Sequence, residues 1–244
     1  MKLKYSFFLI FILVFLNFQC SPEGEKLGEK PSPVVMIEGV SDTSPAEKGI
    51  DAVPEGNGIQ IEWIPSSDPY VIGYELFRSD KRYESYRLVA DVDVLKKRDS
   101  VYVDILDASM LNTRFYYYIY AISDTEVKSD ASDTLSYMLI EKAMDLSPQG
   151  NISESKPEFS WKDPNNPQKA AYVIRLKEAL NDDLIWIEWV PSNYEDTQTV
   201  EYNSSGGADL DSLLTGMDYL WRVDIIGTEE NSGSESQWHF IHIQ

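Results

Sequence analysis

Side chains able to do chemistry are few in this chain. Its two histidines are His239 and His242. They stand three apart in a segment that reads as a strand, so they face opposite sides and cannot jointly hold a metal. The single cysteine, Cys20, allows no intrachain disulfide and no cysteine-rich metal set. No Gly-x-Ser-x-Gly elbow, phosphate loop or His-Glu-x-x-His helix occurs. Acidic residues number 41 against 21 basic ones, yet no spacing singles out a glycosidase pair. The densest acid clusters are Asp91 with Asp93, Asp104 with Asp107, and Asn181-Asp182-Asp183. Calcium takes oxygens from such groups, but none sits in a twelve-residue loop with the required Gly and Glu. No catalytic set, metal or cofactor is expected from these residues.

What remains is binding chemistry. The run from Phe115 to Ala121 alternates Phe115, Tyr117, Ile119 and Ala121 with Tyr116, Tyr118 and Tyr120. In a strand the first set faces a core and the three tyrosines face outward. Phe77 points outward from an earlier strand by the same alternation. Such a face reads in two ways. It is ordinary cross-strand packing of tyrosine, or it is a surface that grips a sugar or a protein.

The elements that position these residues come in two copies. Trp63, Pro69 and Tyr74 recur as Trp161, Pro167 and Tyr172 at identical spacings. The segment 115–121 is echoed by 219–225. Self-similarity at a period of roughly a hundred residues implies a duplicated domain. Short alternating segments at 59–63, 74–78, 86–92, 101–103, 114–122 and 135–140 read as strands. The second copy has 158–161, 172–176, 184–190, 197–202, 219–226 and 238–243. The segment around 185–189 is the weakest of these, because Asn181-Asp182-Asp183 before it could open a helical turn. About seven short strands per hundred residues imply a β-sandwich.

On these residues the chain resembles tandem fibronectin type III domains. The resemblance rests on Ile61-x-Trp63, on Gly73-Tyr74-x-Leu76-x-Arg78 and on the aromatic run ending at Ala121. It implies an all-β fold of two immunoglobulin-like sandwiches, over residues 34–142 and 143–244, joined by about five residues at 141–145 in a semi-rigid pair. It also implies structural roles for Trp63, Tyr74, Trp161, Tyr172 and Tyr219. Leu213 stands six residues before Tyr219, the spacing of the family's tyrosine corner. Phe115 takes that place in the first copy and has no hydroxyl for the corner bond.

The N-terminus reads as an export signal. Lys2 and Lys4 precede an unbroken apolar run at 7–16, shorter than the ~20 residues of a spanning helix. Cys20 follows at once. A lone cysteine there resembles the bacterial lipoprotein signal, which implies a signal peptide over 1–19 and lipidation of Cys20. Gln19 stands where that family has Gly, Ala or Ser, so an ordinary signal peptide with an incidental cysteine is the other reading. Residues 20–33 carry charge, Pro and Gly and read as a flexible tether. Ser21 is not the Asp that favours inner-membrane retention in the best-known family rule, which tilts the expectation to the outer membrane.

A net charge of −20 repels phosphate backbones, so nucleic acid is not an expected partner. The expectation is a lipid-anchored bacterial envelope protein without catalytic activity. It would present two sandwiches for protein binding, adhesion or scaffolding. The alternative is a carbohydrate-binding surface lipoprotein using Phe77, Tyr116, Tyr118 and Tyr120.

Overall fold

The computed structural model describes residues 28–163, 169–193 and 195–244. Cys20, residues 1–19 expected as an export signal, and Pro167 lie outside the described residues. Eight strands build the first sandwich: β1 (Val35–Met36), β2 (Asp51–Ala52), β3 (Gly58–Ile64), β4 (Val71–Ser79), β5 (Arg87–Ala90), β6 (Val101–Ile105), β7 (Arg114–Ser123) and β8 (Leu135–Leu139). Nine follow: β9 (Met144–Ser147), β10 (Gly150–Ile152), β11 (Glu158–Lys162), β12 (Lys169–Glu178), β13 (Leu184–Pro191), β14 (Thr197–Glu201), β15 (Asp218–Gly227), β16 (Ser232–Glu235) and β17 (His239–Ile243). The fold is all-β, with two sandwiches in tandem.

Each sandwich packs a small sheet on a larger one. In the first, β3 pairs with β1, β2 and β6, and the order β5-β4-β7-β8 faces it. In the second, β14-β11-β9 faces a sheet in which β15 lies between β12 and the pair β16 and β17. Alternation explains the packing. Ile59, Ile61 and Trp63 of β3 are buried, as are Tyr74 and Leu76 of β4. Trp63 meets Tyr74 edge-to-face at 5.4 Å, and Trp161 meets Tyr172 likewise at 5.2 Å. An edge-to-face pair adds about 0.5–1.5 kcal/mol to the area each ring buries.

Both copies share a device just outside a strand, at Ser132 before β8 and at Ser236 after β16. Ser132 N donates to Ile119 O, and Ser132 Oγ accepts from Ile119 N, both at 3.0 Å. Ser236 makes the same two bonds to Val223, both at 2.9 Å. Ile119 pairs with Leu76 and Val223 with Ile174, so the two serines are equivalent. A hydroxyl thus replaces a ladder carbonyl where the strand breaks. Ser236→Ala should orphan the buried Val223 N–H and cost about 1–3 kcal/mol. A lower urea midpoint at unchanged slope is the expected reading.

The two cores differ at one set of positions. In β4–β7, Arg78 pairs with Tyr117, and Asp104 of β6 reaches both: Arg78 Nη1 lies 2.5 Å from Asp104 Oδ2, and the Tyr117 hydroxyl donates to it at 2.9 Å. In the second copy the same registers hold Leu176 and Trp221, with Tyr202 just past the end of β14. A buried ionic triad in one sandwich is an apolar and aromatic cluster in the other.

The sandwiches are joined by more than a connector. β8 and β16 pair in parallel, with Met138 N donating to Asn231 O at 3.0 Å and Ile140 N to Gly233 O at 3.1 Å. Both large sheets thereby become one ten-stranded sheet among the described residues. Arg114 clamps the seam, reaching Glu229 Oε2 at 3.1 Å and Glu230 O at 2.8 Å. Strand structure resumes at Met144, inside the stretch expected as connector, because Ile140 and Ala143 already bury into the second core. β16 escaped the sequence reading because Ser-Gly-Ser-Glu has no apolar residue; its pairing with β8 and β15 makes it a strand. The expected strand at 86–92 is shorter, Arg87–Ala90.

Residues 28–33, read from sequence as part of a free tether, lie along the first sandwich. Lys30 pairs with Asp130 at 2.6 Å, Ser32 N donates to Asp68 Oδ2 at 2.8 Å, and Pro31 is buried. The segment from Gly39 to Gly49 leaves the sandwich and returns. At Gly49, φ is +86° and a Cβ would lie 2.0 Å from Glu38 O, so only glycine makes the return.

Candidate functional site: an uncovered aromatic face and its covered counterpart

In β7, Phe115, Tyr117, Ile119 and Ala121 are buried, while Tyr116, Tyr118 and Tyr120 are half-buried on the opposite face. Phe77 of β4 pairs directly with Tyr118 and lies on that face too. The rings form one cluster. Phe77 stacks on Tyr118 at 5.2 Å and 20°, and Tyr120 stands edge-on to both at 5.7 and 5.3 Å. Tyr86, which the sequence reading placed in a strand and not in the site, closes the far side at 4.5 Å from Tyr118. Tyr116 has no ring contact with this group among the described residues and lines a neighbouring cavity with Arg82 and Thr134. Leu88, opposite Phe77 on β5, adds an exposed apolar rim.

The electrostatics fit a docking surface. Burial first, then Tyr120, pushes the Tyr118 hydroxyl up to about 12, so it stays a hydrogen-bond donor. Lys128 Nζ sits 5.6 Å from the Phe77 and Tyr120 ring centres and is held by Glu75 Oε2 at 2.5 Å. Because the rings pack on one another, edges and hydroxyls reach the surface more than flat faces do.

The second sandwich shows what an equivalent face can do. Arg175 pairs with Arg222 as Phe77 pairs with Tyr118, and Val173 pairs with Asp224 as Glu75 does with Tyr120. The loop at 42–47, from the first sandwich, covers this face. Arg175 Nη1 donates to Ser44 O at 2.9 Å and Nη2 to Asp42 O at 2.6 Å. Glu47 bonds Arg222 and lies 3.0 Å from Arg175 Nε. Asp224 accepts from Arg175 Nε at 2.7 Å and from Arg222 Nε at 2.8 Å, and Glu235 lies 3.0 Å from Arg222. Trp238 stacks over Arg222 at 4.7 Å.

The carboxylates of Glu47, Asp224 and Glu235 lie within 4.8 Å of one another. Two guanidinium groups already occupy the cluster, which makes it an ion-pair lock between the sandwiches and a poor place for a cation. Acids outnumber bases here, and their proton affinities rise. Burial first and Asp224 second push Glu235 up to about 10, against the pull of Arg222. Burial first pushes Asp51 up to about 6, although Ala52 N and the Tyr137 hydroxyl donate to it at 2.8 and 3.1 Å.

A raised carboxyl pKa in the folded state means the folded state binds that proton more tightly. Stability from Asp51 is complete below about pH 4, falls as pH rises, and is lost above about pH 6. At about 1.4 kcal/mol per unit the loss is on the order of 3 kcal/mol. Asp51→Asn should flatten that window and raise the urea midpoint at pH 7.5 while leaving it nearly unchanged at pH 3.5. Glu235 extends the decline to higher pH.

The other residues singled out from sequence have structural partners. Asp91 Oδ1 caps a turn at Asp93 N, 3.0 Å away, and Asp104 belongs to the buried triad. Asp183 is tied to Asn181, and Asp182 to Lys177 at 2.5 Å. His239 and His242 face opposite sides of β17. His242 Nδ1 lies 2.7 Å from Asp218, and burial lowers the pKa of His239 beside Trp221. The Tyr219 hydroxyl accepts from Leu214 N at 3.1 Å, and Phe115 lies under the Arg78 guanidinium at 4.9 Å. Tyr74 OH accepts from Ser66 N and donates to Lys97 O, and Tyr172 OH bonds Asp163.

No protein-family model matches the chain, and no curated protein is similar to it in sequence. Among solved structures, the chicken CNTN1 FN1–FN3 domains are similar, with TM-score 0.37 and 16% identity over 88% of this chain and 67% of that one. The chicken interferon gamma receptor alpha chain is similar with TM-score 0.31 and 11% identity, over 80% of this chain and 95% of that one.

Proposed function

We propose that this chain is a non-catalytic, lipid-anchored envelope protein of a bacterium, and that its first sandwich docks a protein partner on the outer face built by Phe77, Tyr118 and Tyr120. One observation carries the reading. The equivalent face of the second sandwich is covered by the loop at 42–47 and tied to it by ion pairs. On the first sandwich the same positions are aromatic, half-buried and rimmed by exposed Leu88. A face of this architecture accepts a polypeptide segment in one copy and is open in the other. Aromatic side chains give large contact area at small entropic cost.

A protein partner fits better than a sugar because the ring faces are engaged with one another. Pyranose stacking needs a flat, exposed ring. Glycan-array binding that disappears in Tyr118→Ser would reverse this choice in favour of the carbohydrate reading. The anchor rests on Cys20 and its position after the apolar run. Palmitate labelling of the wild-type chain, absent in Cys20→Ala, is the expected result; equal labelling of both would remove the anchor.

A further inference from the structure

A cavity of about 310 Å³ opens at the end of the first sandwich, between the β4–β5 hairpin and the loop before β7. Arg78 and Arg87 line it and stand directly opposite each other across the antiparallel pair β4–β5. Like charges directly opposite are unfavourable in a sheet, and here Asp104 offsets only Arg78. Arg78 is 6% exposed, and its Nε is buried with no hydrogen-bond partner, although its Nη1 is taken by Asp104. A buried guanidinium donor left without a partner, on a residue that lines a cavity, is costly and favours an acceptor entering beside it. Ser85, Ser109 and Thr113 contribute hydroxyls to the same wall.

The second sandwich shows that the fold does not need these charges. Its equivalents of Arg78 and Arg87 are Leu176 and Trp186, paired in the same way across β12–β13. The Trp186 indole is buried against Phe159 and Tyr202, at 5.5 and 5.1 Å. Where one copy fills its core with an indole, the other keeps two arginines around a cavity.

We infer that this cavity binds a small organic acid through its carboxylate, held between Arg78 and Arg87. A carboxylate matches the planar donor fork of arginine and would balance Arg87, which has no ion pair among the described residues while Asp104 already meets Arg78. Asp80 also lines the cavity, so its charge suits a monoanion better than phosphate. Met110 and Phe115 offer apolar contact to the carbon skeleton. The site is separate from the aromatic face and does not depend on it.

The test titrates the full-length protein with acetate, lactate and benzoate at constant ionic strength, with sulfate and phosphate as parallel arms. The readouts are the Arg Nε–Hε resonances in NMR and the dissociation constant. The expected result is that a carboxylate moves the Arg78 Nε–Hε signal and binds at least tenfold more weakly to Arg87→Gln. Arg87→Trp, which copies the second sandwich, should fold and lose binding, while Arg82→Gln outside the cavity binds normally. Sulfate or phosphate binding as tightly as the best carboxylate would overturn the assignment. So would an unmoved Arg78 signal, or equal affinity in wild type and Arg87→Gln.

Discussion

Arg222→Ala should lower stability by about 3–5 kcal/mol, the cost typical of removing one partner from a buried ion-pair network. Arg222 is 1% exposed and bonds Asp224, Glu235 and Glu47. Without it those carboxylates remain crowded within 4.8 Å of one another, and of the three Arg175 pairs with Asp224 and Glu47 but not Glu235. The loop at 42–47 also loses one of its two charged holds on the second sandwich, keeping only Arg175. The variant should show a lower denaturation midpoint and faster proteolysis within 42–47. Arg222→Lys should recover little, because a single ammonium cannot reproduce a fork that meets three acids. Glu235→Gln should be well tolerated near neutral pH, since burial already favours the protonated acid there.

Asp104→Ala should be of similar size, about 3–5 kcal/mol, for a different reason. It leaves the Arg78 guanidinium buried with no counterion and removes the acceptor of the Tyr117 hydroxyl. The second sandwich supplies the compensating design. Its Leu176, Tyr202 and Trp221 occupy the same registers with no buried charge. The triple change Arg78→Leu, Asp104→Tyr and Tyr117→Trp should therefore recover most of the loss. Urea denaturation of the single and triple variants measures both effects. A triple variant as unstable as the single one would mean the ionic triad has a structural role that the other copy meets elsewhere.

The alternation of Ile59, Ile61 and Trp63, and of the β7 aromatics, was legible because one face is buried and the other is not. Tyrosine at every second position of β7 told its own orientation. Tyr86 was not legible because it sits in the irregular stretch just before β5, whose path is set by the hairpin and not by alternation. The joint between sandwiches was not legible. β16 carries no apolar signal, and parallel pairing with β8 depends on residues nearly a hundred positions apart. The charges at Arg175, Arg222 and Asp224 sit at alternate positions of their strands, a spacing that by itself fits a solvent-facing edge. They are buried because a loop more than a hundred residues earlier lies over them. One signal was present: charged residues at alternate positions between apolar neighbours, Arg222 and Asp224 in β15 and Arg175 and Lys177 in β12. The cavity at Arg78 and Arg87 became visible only from the register that sets it against Leu176 and Trp186.

The proposed protein-docking role of the aromatic face on the first sandwich can be checked by photo-crosslinking in cells that make this chain. Leu88, 46% exposed on the rim of that face, takes a benzoylphenylalanine probe without opening the ring cluster. Ile105, 65% exposed on the small sheet of the same sandwich, takes the control probe. One discrete protein adduct is expected from position 88 and none from 105. Adding Phe77→Ser and Tyr118→Ser should abolish it while the far-UV spectrum stays that of the folded protein. No adduct from 88, the same adduct from both positions, or an adduct that survives the two substitutions would contradict it.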